Sequence, residues 1–341
     1  MSAAPMYINA VGMACPVGLT ATAACAAIRA GISRRHELPF VDDEGRPIIG
    51  SALRLLPPEL PANQRWLSLL GYALRDLVGK QPLPLLQKIP IVLAIADDPG
   101  GGPMEDRAVV GTMSEALGME LDPRLVEIIR GGSSSGYRAI ARARAWLSQG
   151  PYHSCVVAAA DSLLDARRLL ALHEQRRLLS EDNPDGVTPG EAAACLLFEA
   201  TPKATAAVLR GLGFSRELSH CFNELPMRGD GATAAGRLAL ADAGLSMHEM
   251  DLRLSDTAGE SSAFKELMLM TTRLLLQPKA EFPVWLTADC LGDVGAASGL
   301  CNVVRAIIGF QRGYAPGRRA FGIAASDDGD RAAIVIDAQR L

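Results

Sequence analysis

The chain has 341 residues, 49% of them hydrophobic and 21% charged, which is an ordinary globular composition with length enough for a sizeable core. The formal net charge is -4, and arginines are interleaved with acids, so no basic surface points to nucleic acid or an anionic membrane. No apolar run reaches bilayer length, and the first residues lack a basic stretch followed by an apolar one; neither a membrane span nor a signal peptide is expected.

The elements follow in chain order. MYINAVGMA (6–14) reads as a strand. TATAACAAIRAG (20–31) is an Ala-rich helix with Thr20 or Thr22 at its cap and Gly31 past its end. PIVLAIA (90–96) is a buried strand. VEIIRGGSSSGYRAIARARAW (126–146) is a strand, a sharp turn and a helix, and Gly150 closes the helix. SCVVAAADS (154–162) and EAAACLLFEA (191–200) are strands. GDGATAAGRLALADAGLS (229–246) and ASGLCNVVRAIIGFQRG (297–313) are helices, the second stopping at Gly313. RAAIVID (331–337) closes the chain as a strand. Strands alternating with helices of small residues predict a layered α/β fold. The Pro-rich and polar loops are too short to separate independent domains.

The seven cysteines, Cys15, Cys25, Cys155, Cys195, Cys221, Cys290 and Cys301, form no C-x-x-C pair, and several lie in apolar runs. Buried free thiols in a reducing, cytoplasmic setting are expected. No His/Cys spacing supports a transition-metal site, and neither a metal nor a cofactor is expected.

The serine turn carries the first chemical question. Gly132-Ser133-Ser134-Ser135-Gly136 fits the hydrolase elbow G-x-S-x-G, with Ser134 as nucleophile. That fold needs a histidine far downstream, and the five here are His36, His153, His173, His220 and His248, none in a Gly-rich loop. The plainer reading is a tight turn whose serine oxygens cap the helix. A third is capture of an anion or a phosphopantetheine group at the helix N-terminus.

Laid end to end, the chain resembles a β-ketoacyl-ACP synthase of the thiolase superfamily. The resemblance opens with VGMACPVGLTATAACAAIRAGIS (11–33). It is most specific in RLLSEDNPDGVTPGEAA (177–193), which is similar to the family's R-x-L-S-x-x-N-x-D-G-x-x-P-G-E-G-A loop. It continues through RGDGATAAGRLALADAGLSMHEMD (228–251), LGDVGAASGL (291–300) and AFGIAASDDGDRAAIVID (320–337). This implies a five-layered αβαβα sandwich of two similar βα halves, 1–204 and 205–341, forming one compact unit. It also implies a dimer through the strand beside the nucleophile, and in the PGEAA stretch a structural Glu191 that holds a loop through backbone hydrogen bonds.

The family's chemistry uses a helix-terminal cysteine and two histidines. Aligned by motif, Ser133 stands in the cysteine's place, Asp256 in the first histidine's and Asp293 in the second's, and no supporting lysine lies in WLTADCLGD (285–293). A serine hydroxyl is far less acidic than a thiol, and an ionised carboxylate cannot donate to an enolate. Decarboxylative condensation is therefore not expected. Ser134, Gly259, Gly292 and Asp327 are the expected substrate-binding positions, with Asp328 also close by. The acids Asp256, Asp293 and Asp327 either converge near Ser133, raising one another's pKa or binding a cation, an amine or a partner's arginine, or are solvated loop residues.

The first functional expectation is a catalytically degenerate synthase-like protein, similar to the family's chain-length factors. It would bind an acyl thioester or acyl carrier protein, as a homodimer or a heterodimer with a competent ketosynthase. The second is an acyltransferase or thioesterase with Ser133 as nucleophile and Asp256 or Asp293 as base. The third is a scaffold outside lipid metabolism.

Overall fold

The computed structural model describes residues 6–79, 86–98, 104–202 and 207–339. The expected 204/205 boundary between halves lies outside the described residues, as do positions 1–5 of the N-terminal segment. The principal strands are β1 (Met6–Ala14), β4 (Ile91–Ile95), β5 (Val126–Arg130), β6 (Ser154–Ser162) and β7 (Glu191–Glu199), then β8 (Ala207–Arg216), β9 (Leu252–Ser255), β10 (Val284–Leu286), β11 (Arg319–Ala325) and β12 (Asp330–Ala338). They form one ten-stranded sheet in the order β10-β9-β11-β12-β8-β1-β7-β6-β4-β5.

The order repeats itself. From the middle outwards each set runs first strand, fifth, fourth, second, third. In each set the first and fifth strands and the fifth and fourth pair antiparallel, and the outer three strands are parallel. A short antiparallel contact between Met6–Ile8 and Ala207–Leu209 joins the sets. A separate hairpin, β2 (Arg35–Val41) with β3 (Pro47–Ser51), was not read from the sequence.

Burial defines the layers. Strands that alternate faces divide their side chains between two cores. Val92 and Ala94 of β4 point into a central core with Ile334 and Ile336 of β12, while Ile91, Leu93 and Ile95 point outwards. The central core is filled by α1 (Ala21–Arg29), α4 (Ser135–Gln149) and α9 (Ser298–Gln311). Outside the first set lie α2 (Ala62–Val78) and α3 (Asp106–Leu117), and outside the second lie α6 (Asp230–Ala243) and α7 (Ser261–Leu274). Two shorter helices are α5 (Ala166–Glu174) and α8 (Ala288–Leu291). This is the expected five-layered arrangement.

Small residues allow the close layering. A Cβ on Gly12 would lie 2.1 Å from the Ala73 carbonyl oxygen of α2, and one on Gly213 would lie 2.0 Å from that of Ala235 on α6. The α1 cap is Thr20, whose hydroxyl accepts the Ala23 amide at 3.2 Å, and Gly31 follows the helix at φ +69°. Gly313 likewise follows α9 at φ +68°. Glu191 is fully buried at the start of β7. It accepts from the Leu53 amide at 2.8 Å, from Arg65 Nε and Nη2 at 2.7 Å each, and from Ser162 Oγ at 2.9 Å. It holds the 53–57 loop, as expected of it.

Candidate functional site

Parallel strands end in loops on one side of a sheet, and ligand sites form there. Ser133 follows β5, Asp256 follows β9, Asp327 follows β11, and Asp293 lies between β10 and α9. The fold brings all four to one cleft, with two adjoining cavities of about 300 and 330 Å³. Ser133, Arg177, Asp293, Ser326 and Asp327 line both; Asp256 lines the first and Asp328 the second.

The turn itself departs from the capping reading. Gly131, at φ +145°, lets the chain reverse after β5. No serine side chain caps α4. The Ser134 amide donates to Ser326 Oγ at 3.0 Å, and the two hydroxyls pair at 2.7 Å. Ser135 Oγ donates to the Gly132 carbonyl at 2.7 Å. The closing loop after β11 thus supplies the hydrogen bonds expected from the turn's own serines. Ser134 is buried and lines neither of these two cavities. Ser133 does face the cleft, and its hydroxyl has no hydrogen-bond partner among the described residues.

The two aspartates are held by main-chain donors. Asp256 accepts the Ala325 amide at 2.7 Å, and Asp293 accepts that of Gly295 at 2.9 Å. Burial pushes the Asp256 carboxyl up to about 7 against that hydrogen bond, and the charge of Asp293 adds to the rise. Burial also lifts Asp293 to about 6, with Asp327 adding to it. Both carboxyls therefore hold their protons to higher pH than an exposed aspartate does.

Arg177, the arginine of the specific motif, is the residue whose role sequence reasoning missed. Its Nε and Nη2 donate to Glu260 at 2.8 Å each, and its Nη1 and Nη2 donate to Asp327 at 2.7 and 3.0 Å. The other two lining arginines are also taken. Arg331 pairs with buried Glu266 at 2.7 Å and Arg168 with Asp161 at 2.5 Å. Among the described lining residues, every guanidinium is engaged by a carboxylate.

His220 and Cys221 also line the first cavity, on the loop before α6, and no motif pointed to them. Six of the cysteines are buried as expected, and Cys221 is the exposed one. Although the residue as a whole is exposed, its sulfur is partly withdrawn from water and donates to the Asp327 carbonyl at 3.2 Å, and that desolvation, with the Asp327 charge, pushes the thiol up to about 12. That thiol is no ready nucleophile. Gly259 and Gly292 line neither cavity. Each has positive φ where a Cβ would lie 2.4 Å from a carbonyl oxygen, of Gly186 and Thr188 respectively, so they serve the backbone crossing of the 186–190 loop. Among the described residues no group of His, Cys, Asp and Glu is arranged to hold a metal ion, and no helix is long and apolar enough to cross a membrane.

No protein-family profile matches the sequence, and no curated protein matches it. Solved structures do. A ketosynthase in complex with its chain length factor from Xenorhabdus doucetiae is 16% identical, with 98% of each chain covered and a TM-score of 0.76. The ishigamide ketosynthase/chain length factor is 17% identical over 98% of this chain and 99% of that one, with a TM-score of 0.76. A type II polyketide synthase acyl-carrier protein in complex with its ketosynthase bound to the hexaketide (AntDE:AntF) is 14% identical over 98% and 99%, with a TM-score of 0.78. The chain has the thiolase-like fold of ketosynthases and chain-length factors.

Proposed function

We propose that this chain is a non-condensing, ketosynthase-like protein of fatty-acid or polyketide-type metabolism. It holds an acyl group delivered as a thioester or on an acyl carrier protein, and it pairs with a competent ketosynthase in the manner of a chain-length factor. The observation that carries this reading is the cleft's hydrogen-bonding character. Condensation needs donors aimed at a thioester oxygen and a developing enolate. Asp256 and Asp293 both accept from the main chain, and Asp293, the lower of the two, ionises near neutral pH to a charge that repels an enolate. The fold shared with ketosynthase–chain length factor pairs supports the pairing, through the open edge strand β5.

The acyltransferase reading has one observation in its favour. A carboxyl near 7 is well tuned for a general base. Yet a serine nucleophile needs its base in hydrogen-bond reach, and Ser133 Oγ has no such partner among the described residues.

The test is a titration with octanoyl-acyl carrier protein, beside an assay of carbon dioxide release from malonyl-acyl carrier protein. Saturable binding without release is expected. Release at the rate of an active synthase, or no binding of the acyl carrier, contradicts the proposal.

A further inference from the structure

Many of the chain's arginines are answered by carboxylates, as Arg46, Arg65, Arg177 and Arg331 are. The end of the sheet at β10 is different. Arg305 of α9 lies over the Trp285 ring at 4.8 Å, Trp285 and Tyr314 stand 5.8 Å apart at 33°, and Arg29, the last residue of α1, lies over Tyr314 at 4.5 Å. Trp285 and Tyr314 pack on the central core, whereas Phe282 packs on the outer core beside α7, and there Arg253 and Lys279 lie over its ring at 4.8 Å each. Among the described residues none of these four cations bonds a carboxylate. Arg305 donates to the Leu286 carbonyl at 3.0 Å, Arg253 to the Phe282 carbonyl at 2.6 Å and the Thr271 hydroxyl at 3.2 Å, and Lys279 to the Met250 carbonyl. Burial lowers the pKa of both Arg253 and Arg305, the direction of a cation whose lost hydration is not replaced by an opposite charge.

We infer that the β10 end of the sheet is a docking surface for a protein segment that carries carboxylates and apolar side chains together. Charge complementarity names the carboxylates, because four cations without a carboxylate partner flank one short edge strand. The aromatic residues and Leu276, which is 85% exposed on the segment leading to β10, name the apolar part. Trp, Tyr and Arg are the residue types that dominate binding at protein interfaces. A guanidinium already stacked on a ring is pre-organised, so little freedom is lost when its N–H edge takes a carboxylate. A nucleic acid fits less well: the ring faces are already taken up by cations and by each other, which leaves little for a base to stack on. The surface lies at the opposite end of the sheet from β5, so a partner here and a ketosynthase at β5 can be held at once, and the inference does not rest on the acyl-binding reading. None of Arg29, Trp285, Arg305 and Tyr314 lines either cavity of the cleft.

Fluorescence anisotropy on the full chain tests this, with a labelled peptide of glutamate pairs separated by leucines as the probe. Its glutamine analogue and an oligothymidylate of equal charge are the comparators. Saturable binding of the acidic peptide is expected, weakening as salt is raised. The double variant Arg29→Gln with Arg305→Gln should bind about tenfold or more weakly. Arg29→Gln alone changes an exposed residue that does not disturb the core, and should weaken binding about threefold. Arg124→Gln removes an 89% exposed arginine just before β5, at the far end of the sheet, and should bind as the wild type does. Equal affinity in the wild type and both Arg29 variants would overturn the inference, as would an equal loss in Arg124→Gln. So would the absence of saturable binding, a glutamine analogue that binds as tightly, or binding of the oligothymidylate and not of the peptide. Titration with octanoyl-acyl carrier protein at the cleft is a separate readout, so failure here leaves the acyl-binding reading standing.

Discussion

Glu191 and Asp256 are both carboxylates withdrawn from water, and their surroundings differ in one respect. Glu191 faces a guanidinium, a hydroxyl and an amide, so its lone pairs are all engaged. Asp256 has the Ala325 amide and no cation in direct contact, and its pKa is pushed up to about 7. The first pattern holds a loop to a strand. The second leaves a proton loosely held in a cleft. A buried carboxylate with a complete set of partners is scaffold, whereas one that must take up a proton marks a site.

That contrast can be broken at several points. The largest effect is expected at the Glu191 centre. Arg65→Ala leaves a buried carboxylate uncompensated and should cost about 3–5 kcal/mol in urea unfolding. A loss below about 1 kcal/mol would mean that the Arg65–Glu191 pair does not hold the loop to the strand. Ser326→Ala removes the partner of the Ser134 amide and hydroxyl, and a cost of about 1–3 kcal/mol is expected in the same measurement.

Asp256 gives the pH-dependent case. Its folded pKa lies above the ordinary aspartate value of 3.8, so the unfolded chain releases this proton first. The native state binds more protons between about 4 and about 7, and stability falls as pH rises through that window. Asp293, lifted to about 6, has the same sign. Asp256→Asn keeps an acceptor for Ala325 and cannot ionise. It should be more stable than the wild type at pH 8, by about 1–2 kcal/mol, and should lose that advantage toward pH 4. A difference that ignores pH would contradict a raised carboxyl. The smallest effect belongs to Asp327→Ser. Half-exposed ion pairs contribute about 0–1 kcal/mol, so its stability in urea unfolding should be near that of the wild type.

Much of the fold was legible from local patterns. β1 and β4 follow from apolar runs, the β5–turn–α4 unit from an apolar run ended by two glycines, and Thr20 caps α1 as its spacing predicts. The layer count came from resemblance, because alternation alone does not say which two faces meet. The hairpin β2–β3 was missed, since RHELPFV carries two charges and a Pro and reads as loop. At the site, Ser133, Asp256, Asp293 and Asp327 were found because each sits in a short motif, and the topology brings them together. Ser134, Gly259 and Gly292 sit in the same motifs and line neither cavity: the Ser134 hydroxyl turns to Ser326, and the two glycines serve backbone crossings. His220 and Cys221 lie in a loop with no periodicity, and Arg177 was visible as a motif letter without its two carboxylate partners, which lie 83 and 150 residues away.

The most direct measurement is the intact mass of the protein after incubation with a panel of acyl-CoA and acyl carrier protein thioesters, with Ser133→Ala alongside. A cleft that binds an acyl group without a base at Ser133 leaves the mass of both proteins unchanged. An acyl adduct on the wild type that disappears in Ser133→Ala would contradict the account and make Ser133 a nucleophile.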